Sequence, residues 1–260
     1  MIRLGKYLRT GARLLAISFL LLSQSNLSFG AIAFDSASTN TADDVSSLTI
    51  SHTVTGSNTI LVVCSAVEGT TSGNQPITGI TYNGVALTKI HDIAGSANNR
   101  TEQWYLVAPS SGANDIVITY TGVVGSGAGQ GVAGAGLSIT GAKQQAPEAS
   151  AEASGSSSTA TVNVTTLTNN AWVTDCTYSG LAANTLTVGA DQTSRFNFEN
   201  AGSHDTAGST EPKATAGSVT SSWTISGSGA WGIINSAWEE VVVTDGWVTN
   251  DSKLEDIYVF

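Results

Sequence analysis

The chain is short of the residues that build metal centres, nucleic-acid interfaces and helical folds. Among 260 residues there are two cysteines, one methionine, four prolines and three histidines. Lys plus Arg number ten against twenty Asp plus Glu, too few and too scattered to grip a phosphate backbone, so nucleic acid is excluded as a partner. His52, His91 and His204 stand in no His-x-Glu or His-x₃-His spacing, and no Gly-x-Ser-x-Gly elbow occurs. No apolar run reaches the roughly 18 residues of a membrane-spanning helix, and no segment carries a sustained helical period. What is abundant is Gly, Ser, Thr, Ala and Val, the material of short strands and tight turns.

Residues 1–30 read as a secretory signal peptide: Arg3, Lys6, Arg9 and Arg13, then a nine-residue apolar core over 14–22 broken only by Ser18, then a small-residue cleavage site after Gly30. Cleavage after Ala33 also fits, but would cut the strand pattern AIAFD at 31–35. Processing at Gly30 removes four of the ten basic residues and no acidic ones, leaving a formal charge of −14. The expectation is an exported protein, secreted or at the cell surface, with no membrane span.

The most ordered pattern spans 47–67, SLTISHTVTGSNTILVVCSAV, two strands joined by Gly56, Ser57 and Asn58. The segment 160–179, ATVNVTTLTNNAWVTDCTYS, echoes it, with Asn170 six residues before Cys176 as Asn58 is six before Cys64. The run 60–64 is continuously apolar, which suits a strand covered on both faces or central in the sheet. The matched cysteines suit either a Cys64–Cys176 disulfide, which an exported chain permits, or two small buried hydrophobes on inner strands.

Asn83-Gly84 between alternating apolar residues predicts a type I′ hairpin over 77–90. Strands are expected at 31–35, 101–107, 115–121, 137–140, 185–188, 218–226 and 230–243, the last two turning at Gly227–Gly229. Residues 36–46, 91–99, 142–158 and 192–213 read as polar loops. The pattern predicts one all-β domain over 31–243, an antiparallel two-sheet β-sandwich of jelly-roll type with two pseudo-symmetric halves. An acidic-apolar tail follows at 244–260.

With ITYNGVALTKI, QWYLVAPSSGANDIVITYTG and SSWTISGSGAWGIINSAW in order after the opening unit, the chain resembles the jelly-roll modules of bacterial secreted and cell-surface proteins, of concanavalin-like or carbohydrate-binding type. The resemblance covers about 31–243. It implies a binding or structural role and carries no site residues with it.

Candidate chemistry is sparse. Gly129-Gln-Gly-Val-Ala-Gly134 matches Gly-x-Gly-x-x-Gly but leads into a strand, so a chance match outweighs a nucleotide site. No cofactor is expected; a structural calcium ion would draw on Asp43-Asp44 or His204-Asp205, and without an EF-hand spacing the solvated-loop reading leads. Aromatic side chains offer the one handle on a ligand, because sugar rings stack on them. Trp104, Tyr105, Trp231 and Trp238 are the candidate ligand-binding residues. Strand parity sends Trp104 and Tyr105 to opposite faces and separates Trp231 from Trp238 in the same way. The expectation is a non-catalytic carbohydrate-binding or adhesive module whose partner is a glycan or another surface or matrix component. The alternative is a structural subunit that polymerises with itself by strand addition through 31–35 or the tail, and a secreted hydrolase comes third.

Overall fold

The computed structural model describes residues 28–69, 77–94, 99–125, 127, 130–180, 185–200, 204–244 and 247–248. Residues 1–27 of the expected signal peptide, Gly129 of the glycine motif and the tail beyond 248 lie outside them.

The described residues form antiparallel sheets and no helix. In chain order the strands are β1 Ser28–Gly30, β2 Ala33–Ala42, β3 Val45–Val54, β4 Ile60–Glu68, β5 Ile77–Tyr82 and β6 Val85–Ala86. They continue with β7 Thr88–Ala94, β8 Asn99–Val107, β9 Gly112–Val124, β10 Gly131–Thr140, β11 Ala149–Thr165 and β12 Ala171–Ser179. The last are β13 Leu186–Val188, β14 Thr193–Asn200, β15 His204–Lys213, β16 Ser218–Trp238, β17 Val241–Thr244 and β18 Trp247–Val248.

The sheets stack as an all-β sandwich of repeated design. In the first half, β3-β9-β5-β6 packs on β2-β10-β4-β8-β7. In the second, the order β11-β16-β12-β15-β14 repeats that inner sheet strand for strand. Here β11 and β16 are long enough to bend over and supply the outer layer as well, joined there by β13. Trp223 and Ile225 of the first part of β16 thus meet Trp231 and Ile233 of its second part in one core. The two inner sheets face each other across a third apolar layer that holds Ile60, Val62, Leu137, Phe196 and Trp238.

This stacking explains the apolar run at 60–64. Leu61 and Val63 of β4 fill the first core, while Ile60, Val62 and Cys64 point into the layer between halves. Cys64 and Cys176 form a disulfide through that layer, with Cα atoms 5.7 Å apart. The echo has a backbone basis. Asn58 and Asn170 both sit at positive φ, 51° and 57°, and each turns the chain into the strand that carries its cysteine. Asparagine tolerates this left-handed conformation better than most residues.

Several expected loops are strands. Residues 36–42 extend β2 along β10, and 149–158 begin β11, whose exposure alternates along its length. Ser, Thr, Ala and Gly on an edge strand lack the apolar side chains that make a strand visible in sequence. Residues 91–94 complete β7, tied to β8 by Lys89, Asp92, Arg100 and Glu102. The polar run 192–213 is β14 and β15, and most of β15 is buried because its small polar residues lie between neighbouring strands and layers. Gly227–Gly229 is no turn. It lies where β16 bends, opposite the register shift at Ser157/Thr159 of β11.

The Asn83-Gly84 turn has the expected positive φ at both residues, 49° and 78°. Its second arm leaves the sheet after two residues: β6 pairs with β5, then the chain crosses at buried Leu87 to join the inner sheet as β7. At the termini β17 is flanked by β1 and β18. Residues 33–35 are paired within β2 and 247–248 within that small sheet, so neither is a strand extended away from the body. Processing at Gly30 would remove β1 from β17.

Candidate functional site

The aromatic residues expected to bind a ligand are packing residues. Trp104 lies in the first core and donates its indole N–H to Glu102 Oε2 at 2.9 Å. Trp231 lies in the second core and donates to Ser157 Oγ at 2.9 Å. Trp238 is 1% exposed and donates to Thr174 Oγ1 at 3.0 Å. Tyr105 packs on Trp238 inside the layer between halves, ring centroids 5.7 Å apart. The parity argument places all four on the faces expected, but both faces of these strands are covered. Trp104, Trp231 and Trp238 are buried and Tyr105 is half-buried against Trp238, so these four make no platform.

The buried ionisable groups are likewise consumed by the fold. Asp175, on the face of β12 turned to the second core, accepts from Trp223 Nε1 and Gln192 Nε2, each at 2.9 Å, and from Ser209 Oγ. Burial pushes its carboxyl up to about 6 although these donors oppose the shift. Glu102, fully buried, accepts from Trp104 Nε1, Arg100 Nε and the Ile77 N–H and pairs with Lys89 at 3.0 Å.

A Ser–His–Asp cluster does form, between β2, β3 and β10. His52 Nε2 is 3.1 Å from Ser138 Oγ, and Ser38 Oγ is 2.8 Å from His52 Nδ1. Ser138 Oγ donates to Asp35 Oδ2 at 2.7 Å. The order is wrong for a hydrolase: the carboxylate holds the serine proton and a serine, not the carboxylate, orients the imidazole. Burial, partly offset by Asp35, lowers His52 to about 4, so it stays neutral.

Asp43 and Asp44 occupy the β2–β3 turn, and His204 is buried against Tyr178 with ring centroids 5.1 Å apart. Among the described residues no group of three or more His, Cys, Asp or Glu side chains converges as a metal site would require.

Two clefts at the margins of the inner sheets are open to a ligand. The larger, about 310 Å³, has half-buried Trp172 of β12 as a wall, with Asn170, Lys213, Pro212, Glu240 and Ile32 around it. Asn170 donates its amide to Glu240 Oε2 at 3.0 Å, which fixes a polar floor beside the indole. Lys213 makes no ion pair with a described residue. The smaller cleft, about 250 Å³, runs between β2 and β14 and contains Arg195. Sequence reasoning missed Trp172, which lies within the echo and four residues before Cys176. Its parity matches that of Cys176, placing it on the face toward the first half, and its position at the start of the strand leaves it at the rim. The second of these facts needed the tertiary structure. No family model, curated protein or solved structure matches the chain.

Proposed function

We propose that the chain is an exported, non-catalytic module that binds carbohydrate in the cleft beside Trp172. The observation that carries this reading is the half-buried Trp172 indole lining the cleft next to the Asn170–Glu240 pair and the Lys213 ammonium: an apolar edge for a sugar ring beside donors and acceptors for its hydroxyls. The cleft is small by the standard of drug-sized sites, which suits one or two sugar units and a modest affinity. Export is supported by the disulfide, which needs an oxidising compartment to persist. The non-catalytic reading is supported by the engagement of Asp175, Glu102 and Asp35 as acceptors inside the fold. A glycan-array screen of the mature protein, followed by titration of Trp172→Ala against any hit, tests it. Binding that survives the substitution unchanged would move the site elsewhere, and an empty array would end the reading.

A second reading, a structural subunit that assembles by strand addition, is favoured by β11. This 17-residue strand stands at the end of its sheet, pairs only with β16 among the described strands, and has one charged residue, Glu152. Edge strands of that kind lack the charges and prolines that block pairing with another chain. Size-exclusion chromatography with light scattering separates the two: a monomer at all concentrations excludes the fibre.

A further inference from the structure

Five of the six basic residues downstream of the expected cleavage site lie in the described structure. Lys89, Arg100 and Lys143 are each paired with carboxylates. Arg195 and Lys213 have no ion-pair partner among the described residues, and each lines one of the two clefts. In a chain with twenty acidic residues an unpaired, half-buried guanidinium is a costly arrangement unless an anion completes it.

The setting of Arg195 is built. Its Nε–H donates to Thr210 Oγ1 at 2.8 Å, and its guanidinium carbon lies 4.2 Å from the ring centroid of Phe34. The hydrogen bond fixes the plane and the cation–π contact covers one side. Both Nη groups are left without a partner among the described residues. They belong to a groove of about 250 Å³ lined by residues 37–39 of β2 and 195–198 of β14. Both strands stand at the edges of their sheets, so each also offers main-chain groups that no neighbouring strand takes up. Thr39 is exposed and lines the groove. Burial without a compensating carboxylate lowers the affinity of Arg195 for its proton, in keeping with the absent partner.

We propose that this groove is a second saccharide subsite, for a sugar that carries a carboxylate, with Arg195 as the group that recognises the anion. The planar Nη pair matches a carboxylate two bonds to two. One cation in a strongly acidic molecule suits a monoanion; a sulfate-dense or phosphate-rich polymer would meet repulsion from the remaining surface. The groove has room for a single ring with Thr39 and the edge main chain as partners for hydroxyls. The proposal rests on the carbohydrate-binding reading for the class of ligand, whereas the anion chemistry stands on Arg195 alone.

The test is NMR titration of the mature protein, watching the Arg195 side-chain Nε–H and the Trp172 indole N–H separately. The probes are glucuronate, glucose and acetate, with sodium chloride matched throughout. Glucuronate should shift Arg195 saturably, at least tenfold more tightly than glucose or acetate. Arg195→Lys, which keeps the charge and loses the fork, should weaken glucuronate at least fivefold while leaving the Trp172 response to sugars unchanged. No saturable shift at Arg195, equal response to acetate, or full retention by Arg195→Lys each overturns the proposal. A Trp172 response to glucose with none at Arg195 overturns this subsite while the carbohydrate-binding reading stands; an Arg195 response with a silent Trp172 removes the Trp172 cleft while this subsite stands.

Discussion

Cys64 on β4 and Cys176 on β12 are bonded across the layer where the two inner sheets meet, 112 residues apart in the chain. Each cysteine follows its left-handed asparagine by six residues, so the bond joins equivalent points of two equivalent sheets. Its loss should be felt by the whole fold. Replacing both cysteines by alanine is expected to cost ~3–5 kcal/mol, the range for closing so long a loop. Urea unfolding of the variant beside the oxidised wild type measures this, and a difference below about 1 kcal/mol would show that the apolar layer alone holds the halves.

Three buried groups and one half-buried group pull the pH dependence of stability in opposite directions. Burial raises Asp175 to about 6 and Glu68 to about 7, the latter opposed by the hydrogen bond from Tyr178, and lowers His52 to about 4 and His204 to about 3. A carboxyl held above its unfolded value stabilises the fold at low pH and loses that contribution as pH rises through its folded value. A histidine held below 6.5 stabilises at neutral pH and loses that contribution as pH falls. Between pH 4.5 and 5.5 the folded chain keeps protons on the two carboxyls and the unfolded chain on the two histidines, so these groups balance. Asp175→Asn removes one carboxyl. The variant's stability should then climb with pH across that window by up to ~1.4 kcal/mol per unit, against a flatter wild type. Denaturation at constant ionic strength reads both slopes, and parallel slopes would mean Asp175 is ionised in the fold.

Gln103 of β8 is fully buried, and neither atom of its side-chain amide has a partner among the described residues. An unpaired amide costs more than an apolar group of similar size. Gln103→Leu should therefore stabilise the protein by about 1–2 kcal/mol, seen as a higher urea midpoint at unchanged slope. A destabilised variant would indicate that a buried water serves the amide.

Trp172 and Trp238 occupy paired positions on β12 and β16 and should behave differently. Trp238, 1% exposed and hydrogen-bonded to Thr174, belongs to the packed layer, so Trp238→Ala should cost about 3–5 kcal/mol. Trp172→Ala should leave the chain folded by circular dichroism and abolish sugar binding. If both variants unfold alike, Trp172 is a core residue and the cleft loses its claim.

How much of this was legible varied with the residues. The type I′ turn was plain because Asn83 and Gly84 suit a conformation that most residues avoid. The inner position of β4 was legible because Ile60 to Cys64 run without a polar break, which suits a strand covered on both faces or central in its sheet. β11 and β15 were hidden, since Ser, Thr, Gly and Ala fit loops and crowded strands equally well. The candidate aromatic platform failed for a related reason. Parity separated Trp104 from Tyr105 and Trp231 from Trp238, but parity does not say whether either face is open, and the stacking of the halves covers both.

By itself the sequence determined the antiparallel all-β class, the repeated asparagine-to-cysteine unit and the parity of its aromatic residues, because alternation and turn conformation are local properties. Only the tertiary structure decided that the two halves stack face to face, that β11 and β16 bend without a break, and that Trp172 and Arg195 are left at the margins. Those outcomes depend on which apolar faces bury one another, a property of pairs of sheets that no single stretch of chain carries.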